Sequence, residues 1–262
     1  MERALGMIKL SPRLAAIAGQ VLKCESAIDV GCDHARLGVW LAQNKIVSRM
    51  TVSDINESPL ARARKTIDRA GQSGNIECIL TNGLCGIAPQ DTVIIAGMGG
   101  EMIADIIRQA AWTHDVTRMV LQPMTTGEAL RQFLFENDFT IEREIIVREG
   151  TKLYTILTVV PGYMEVSDAS MIYLSDERDA LAAAYIKKTL KRLEKALNGM
   201  LGARERDETA INTLSAHIKS QLYCRGFLIE QERVYFFYVF SRQTADFSTN
   251  FIAQTTATSR KR

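Results

Sequence analysis

As far as Pro161, short apolar runs alternate with stretches whose apolar residues recur at helical spacing. Leu10, Leu14, Ile17, Ala18 and Val21 mark one face of a helix over Leu10 to Leu22, with Ser11 as its N-cap and Pro12 at the first helical position. Ala27, Ile28 and Val30 then form a strand pattern that ends at Gly31, and Leu37, Val39, Trp40 and Leu41 return to helical spacing. This stretch reads as strand, tight turn, helix. Met50 to Val52 is a second apolar run, closed by Asp54, and Ser58, Pro59 and Gly71 supply the start and stop signals of a helix after it. Ile76 to Leu80 is a short strand ending in Thr81, Asn82 and Gly83.

Val93 to Ala96 lacks any polar alternation, the pattern of a strand buried on both faces, and it ends in Gly97, Met98, Gly99 and Gly100. A helix over Glu101 to Ala110, a strand over Met119 to Leu121 with Gln122 and Pro123 at its end, and a helix over Thr126 to Glu136 continue the alternation. Ile141 to Val147 and Leu153 to Val160 are strands joined by a Glu149-Gly150 turn, an antiparallel closing pair at the sheet edge. The alternation predicts an α/β, Rossmann-like, mostly parallel sheet. Beyond Gly162 the pattern changes. Ile186, Leu190, Leu193, Leu197 and Met200 form one helical seam, and Ile211, Leu214, Ile218 and Leu222 a second. Two such helices joined by a short turn predict a coiled-coil-like hairpin. The chain therefore divides at 1–162, 163–222 and 223–262. The last segment holds the cluster Tyr235, Phe236, Phe237, Tyr238 and Phe240, which reads as a strand or as packing on the hairpin, with an RNA-stacking surface as the sharper alternative, before a flexible basic tail.

Composition narrows this little. With a formal net charge of +2, any nucleic acid must be held by a local basic surface. Lys187, Lys188, Lys191, Arg192 and Lys195 on the hairpin are either a solvated face or such a surface. Cys24, Cys32, Cys78, Cys85 and Cys224 are scattered without a CxxC pair, which argues against a disulfide framework or a zinc ribbon and fits a cytoplasmic protein with no metal. No run approaches the ~18 apolar residues of a membrane span. A monomer is expected.

In a parallel sheet the loops at Gly31, Asp54, Asn82-Gly83, Gly97 to Gly100 and Gln122-Pro123 open at one carboxyl edge, where ligands of open α/β folds bind. Asp54 stands about 20 residues past the first turn, where a carboxylate takes ribose hydroxyls. The turn itself is GCDHA, not GxGxxG, and Asp33 would repel a pyrophosphate. That disfavours a nicotinamide-dependent oxidoreductase and favours a cofactor bearing positive charge, such as S-adenosylmethionine. Arg13 reads as a solvated helix residue or a phosphate contact at the substrate entrance, and Asp29 as a sheet-end or loop-ordering carboxylate in preference to a catalyst.

Several motifs together resemble one family, the bacterial tRNA (adenine-N1)-methyltransferases called TrmK, which act on the adenine at tRNA position 22. They are LSPRL at 10 to 14, DVGCDHA at 29 to 35, SD at 53 to 54, NGL at 82 to 84, IAGMGGE at 95 to 101, QP at 122 to 123 and EGTKLYTIL at 149 to 157. The chain departs from the family pattern at Arg36 to Gly38, where Tyr-Leu-Pro is usual, and at Met124, where Asn is usual.

The resemblance implies a class I methyltransferase domain over 1–162, S-adenosylmethionine as cofactor, tRNA as partner, and a C-terminal arm that helps to grip tRNA. It implies that Gly31 permits close cofactor approach, Asp33 and His34 bind the cofactor's amino-acid end, Asp54 takes its ribose, and Asn82 and Gly83 flank its adenine. Gly97, Met98, Gly99 and Gly100 would form the floor between methyl and base, with Gln122, Pro123 and Met124 as the opposite wall and Asp33 as the nearest candidate base. Against this stand a methyltransferase for another RNA base or a small molecule, and an RNA-binding relative without turnover.

Overall fold

The structure is a computed structural model, and it describes residues 6–163, 180–203 and 206–223. Its elements follow the alternation read from the sequence: α1 (Pro12–Ala18), β1 (Cys24–Val30), α2 (Arg36–Gln43), β2 (Val47–Asp54), α3 (Glu57–Arg69), β3 (Ile76–Leu80), β4 (Thr92–Gly99) and α4 (Gly100–Arg108). After a 3-10 turn (Ala111–His114) come β5 (Arg118–Thr125), α5 (Gly127–Glu136), β6 (Phe139–Glu149), β7 (Lys152–Pro161), α6 (Ala180–Leu201) and α7 (Glu208–Tyr223).

The seven strands form one sheet in the order β3-β2-β1-β4-β5-β7-β6. Strands β1 to β5 pair in parallel, while β7 runs antiparallel to both β5 and β6. The β6-β7 hairpin is the antiparallel pair that the Glu149-Gly150 turn predicts, but β7 inserts beside β5 and leaves β6 at the margin. Successive strand residues face opposite sides, so each strand feeds two cores. Ile28, Val30, Val93, Ile95, Met119 and Leu121 pack under α4 and α5, with Ile103, Ile107, Leu130 and Leu134. On the other face Ala27, Met50, Val52, Ile94, Val120 and Ile156 pack with Ile17, Leu37, Leu41 and Leu60 of α1, α2 and α3. The sheet is therefore covered on both sides, as parallel strands require.

Some boundaries differ from the sequence reading. Helix α1 stops at Ala18 because Gly19 caps it, its N–H returning to Ala15 and Ile17 carbonyls. Helix α3 begins at Glu57, earlier than the Ser58-Pro59 signal, because the Asp54 carboxylate accepts the Asn56 N–H at 2.9 Å and turns the chain. Strand β5 runs through Gln122 and Pro123, which lie within the strand and not after it.

The chain divides into two compact units, Met1–Leu193 and Glu194–Arg262, with the boundary inside α6. In the first unit, Ile186 and Leu190 of the predicted seams are buried, and in the second Leu197, Ile211 and Ile218 are buried while Met200 is exposed. The aromatic cluster and the basic tail lie outside the described residues. Among the described residues no helix is long and apolar enough to cross a membrane.

Candidate active site

The carboxyl edge gathers the loops that follow β1, β2, β3, β4 and β5. At β1 the Ser53 carbonyl receives two N–H groups, from Gly31 at 2.8 Å and Cys32 at 3.0 Å, which folds the turn back over β2. Gly31 has φ +73°, and a Cβ there would lie 2.2 Å from Met98 Cε, so glycine lets the two loops touch. Asp33 and Ala35 also have positive φ, 47° and 52°, in the left-handed region that costs a non-glycine residue energy.

Asp33 is 66% exposed on the side chain, and its Oδ1 accepts from Arg62 of α3 at 3.1 Å. His34 Nε2 lies 3.7 Å from Asp33 Oδ2. His34 also lines a cavity of about 310 Å³ with Met7, Ile8, Lys9, Arg36 and Thr66, and the Arg36 guanidinium donates to the Lys9 carbonyl at 2.6 Å. Arg62 is thus a partner of the turn.

Asp54 at the end of β2 uses Oδ1 for Asn56, and among the described residues its Oδ2 has no hydrogen-bond partner. Asn82 is exposed and Gly83 buried, with Gln109 Oε1 accepting from the Leu84 N–H at 3.3 Å behind them. The β4 end is irregular. The pairing with β5 slips on either side of Met98: Gly97, with φ +81°, is the extra residue on β4 before it, and Met124 the extra residue on β5 after it. Gly97 is exposed and Met98 and Gly99 are half-buried, so this segment does surface at the edge.

Across it, Gln122 is fully buried and Pro123 is buried, whereas Met124 is 46% exposed. Of this wall, Met124 is the side chain that a ligand can meet, and Gln122 stands behind it.

A second group of residues converges on the same edge from the α1 face. Strand alternation puts Asp29 of β1 with Ala27, Gln122 of β5 with Val120, and Tyr154 of β7 with Ile156, all on the side that α1 covers. Arg13 of α1 reaches into the space they enclose. Its Nη1 donates to Gln122 Oε1 at 2.7 Å, its Nε lies 3.7 Å from Glu149 Oε2, and its guanidinium carbon lies 5.6 Å from the centroid of the Tyr154 ring. Glu149 also accepts the Arg13 backbone N–H at 3.4 Å, and the Ser11 hydroxyl with Arg13 holds its carboxyl below the usual range. Asp29 is buried, and burial pushes its pKa up to about 7 against the opposing pull of Arg13.

Sequence reasoning did not unite these five residues. Their strand parity, and their places in the LSPRL, DVGCDHA, QP and EGTKLYTIL stretches, were the signals that could have done so. His114 is accounted for by stacking on Phe139 at 4.5 Å. Among the described residues the cysteines are free, and no group of three or more His, Cys, Asp or Glu could hold a metal ion.

The strand order, with an acidic edge at the first two strand ends and an irregular glycine segment after β4, defines the class of the protein: a Rossmann-like class I methyltransferase. Comparison with known proteins agrees. A family model described as a methyltransferase domain matches residues 10–157. The tRNA (adenine(22)-N(1))-methyltransferase of Bacillus subtilis is 27% identical over 201 residues, 71% of this chain and 82% of that protein. Streptococcus pneumoniae Sp1610, solved in complex with S-adenosyl-L-methionine, is 29% identical with a TM-score of 0.72, covering 82% of this chain and 100% of that one. M. capricolum TrmK, solved with S-adenosyl-homocysteine, shares the fold at 24% identity and a TM-score of 0.70, over 83% of this chain and 97% of that one. The chain belongs to the methyltransferase-domain family.

Proposed function

We propose that the protein methylates N1 of an adenine in tRNA, the one at position 22, with S-adenosylmethionine as donor. The observation that carries this reading is the pair of acceptor carboxylates at the edge. Asp33 stands where a dinucleotide fold would present glycines and helix N–H groups to a pyrophosphate, and Asp54 stands at the next strand end, where a carboxylate takes ribose hydroxyls. Asp54 Oδ2 is directed to no protein donor among the described residues, which suits ribose hydroxyls. Asp33 suits an ammonium group, in competition with Arg62. These residues fit S-adenosylmethionine, which supplies an electrophilic methyl group on a sulfonium when bound.

Adenine N1 brings its own lone pair, so no protein nucleophile is required. The chain's task is to orient the base at near-attack distance and to exclude water. Gly97, Met98 and Gly99 serve as the floor, and Met124 as the exposed part of the facing wall. Because N1 lies on the pairing edge, the base must be unpaired or turned out of its stack to reach them. Asn82 and Gly83 flank the cofactor's adenine, and His34 serves its amino-acid end.

The two C-terminal helices act as the arm that holds tRNA, supported by exposed Lys188, Lys191 and Lys195 on α6. The protein works as a cytoplasmic monomer. Mass-spectrometric mapping of nucleosides in tRNA incubated with protein and labelled donor should show new N1-methyladenosine at position 22. Its absence would sink the reading.

A further inference from the structure

We infer that Arg13 is a positioning residue for methyl transfer: it locks Gln122 in one orientation and so fixes the wall that the acceptor base meets. The inference rests on the proposed function for its consequence, and on geometry alone for the lock.

Gln122 has no exposed atom, so it cannot itself touch a substrate. Its amide is nevertheless fully engaged. Oε1 accepts from Arg13 Nη1 at 2.7 Å, and Nε2 donates to the Pro123 carbonyl at 2.9 Å and lies 3.4 Å from Met124 Sδ. Were the amide reversed, an NH2 group would face the guanidinium, donor against donor, and the contact would be lost. Arg13 therefore selects the orientation that turns the Gln122 NH2 toward residues 123 and 124. Met124 is the exposed member of that wall, so its position is set from behind.

Arg13 is itself fixed. Glu149 takes both its Nε and its backbone N–H, and Tyr154 lies beneath the guanidinium. On its remaining side, Nη1 would lie 3.7 Å from a Cβ built at Gly97, the slipped residue of the floor. One planar cation thus ties together α1, the β4 irregularity, the end of β5 and the β6-β7 turn. A single fork with this geometry cannot be replaced by lysine, whose ammonium is a point donor. With 22% of its side chain exposed, Arg13 directs Nη1 and Nε to protein groups, Gln122 and Glu149.

The test uses the full chain with Arg13→Met, which keeps the packing stem and removes the donors, and Arg13→Lys, which restores one donor. In R13M, kcat for tRNA methylation should fall by about tenfold to a hundredfold, the scale of a misplacement near 1 Å. KM for the methyl donor should stay unchanged, and R13K should recover part of the loss. Side-chain amide NMR provides a readout that needs no turnover. The Gln122 NH2 protons should exchange slowly in the wild type and rapidly in R13M. Wild-type kcat in R13M, or an unchanged Gln122 amide, overturns the inference. If the wild type itself transfers no methyl to tRNA, the proposed function falls, and the amide comparison still decides whether Arg13 locks Gln122.

Discussion

At the scale of single residues, two carboxylates on neighbouring strands, Asp54 and Asp29, lie in opposite surroundings. Asp54 is partly open, and its Oδ2 has no hydrogen-bond partner among the described residues. Hydrogen bonds to a charged group contribute about 1.5–3 kcal/mol each, so Asp54→Ala should weaken S-adenosylmethionine binding by about tenfold to a hundredfold. Titration calorimetry reads this directly, and an unchanged affinity would remove Asp54 from the site. Asp29 is the opposite case. Its pKa is raised from 3.8 to about 7 because burial disfavours the charged form more than Arg13 favours it. Folding therefore prefers the protonated carboxyl. The residue carries no penalty below pH 3.8, destabilises progressively as pH rises toward about 7, and carries its full penalty above that. Asp29→Asn removes the titration, so its Tm advantage over wild type should be absent in acid and greatest above neutrality. Equal differences at both extremes would mean that Asp29 does not titrate as its burial implies.

At the scale of elements, the order of strands and helices was legible because hydrophobic periodicity is a local property. The unbroken apolar run at Val93 to Ala96 announced a strand with two covered faces, and both its neighbours bear this out. The position of β7 was not legible, since insertion between β5 and β6 depends on pairing between segments distant in sequence. The site divided along the same line. Gly31, Asp54 and Gly97 follow from strand ends and could be read in order, whereas the Arg13 cluster joins residues separated by more than a hundred positions, as its contact with Gln122 across 109 residues illustrates. A further element-level contact was invisible for the same reason: Arg131 of α5 and Glu144 of β6 form a buried ion pair, with Tyr185 of α6 close enough to be influenced by both. Removing one member leaves the other charge buried, so Glu144→Ala should cost about 3–5 kcal/mol of stability. The apolar pair Arg131→Met with Glu144→Leu should recover much of that loss in urea denaturation, and a double variant no better than the single one would contradict the argument.

At the scale of the molecule, a chain with a formal charge of only +2 must bind a polyanion through a local surface, and α6 offers one. Lys188, Lys191 and Lys195 are exposed and spaced three and four residues apart, which lines them along one face of the helix. The buried Ile186, Leu190 and Leu197 of the same helix lie on another. A solvated lysine face and an RNA-binding face look alike at rest but differ in salt dependence. Each phosphate contact adds about 0.7–0.9 to the slope of log affinity against log salt concentration, so losing three lowers that slope by about 2 to 3. We therefore expect the triple variant Lys188→Glu, Lys191→Glu, Lys195→Glu to bind tRNA more weakly and with this shallower slope in filter-binding titrations. Its affinity for S-adenosyl-homocysteine should match the wild type, because none of the three lysines is among the residues proposed to hold the donor. A wild-type slope would mean that these lysines serve only to keep the helix in water, and that the grip on tRNA lies elsewhere on the chain.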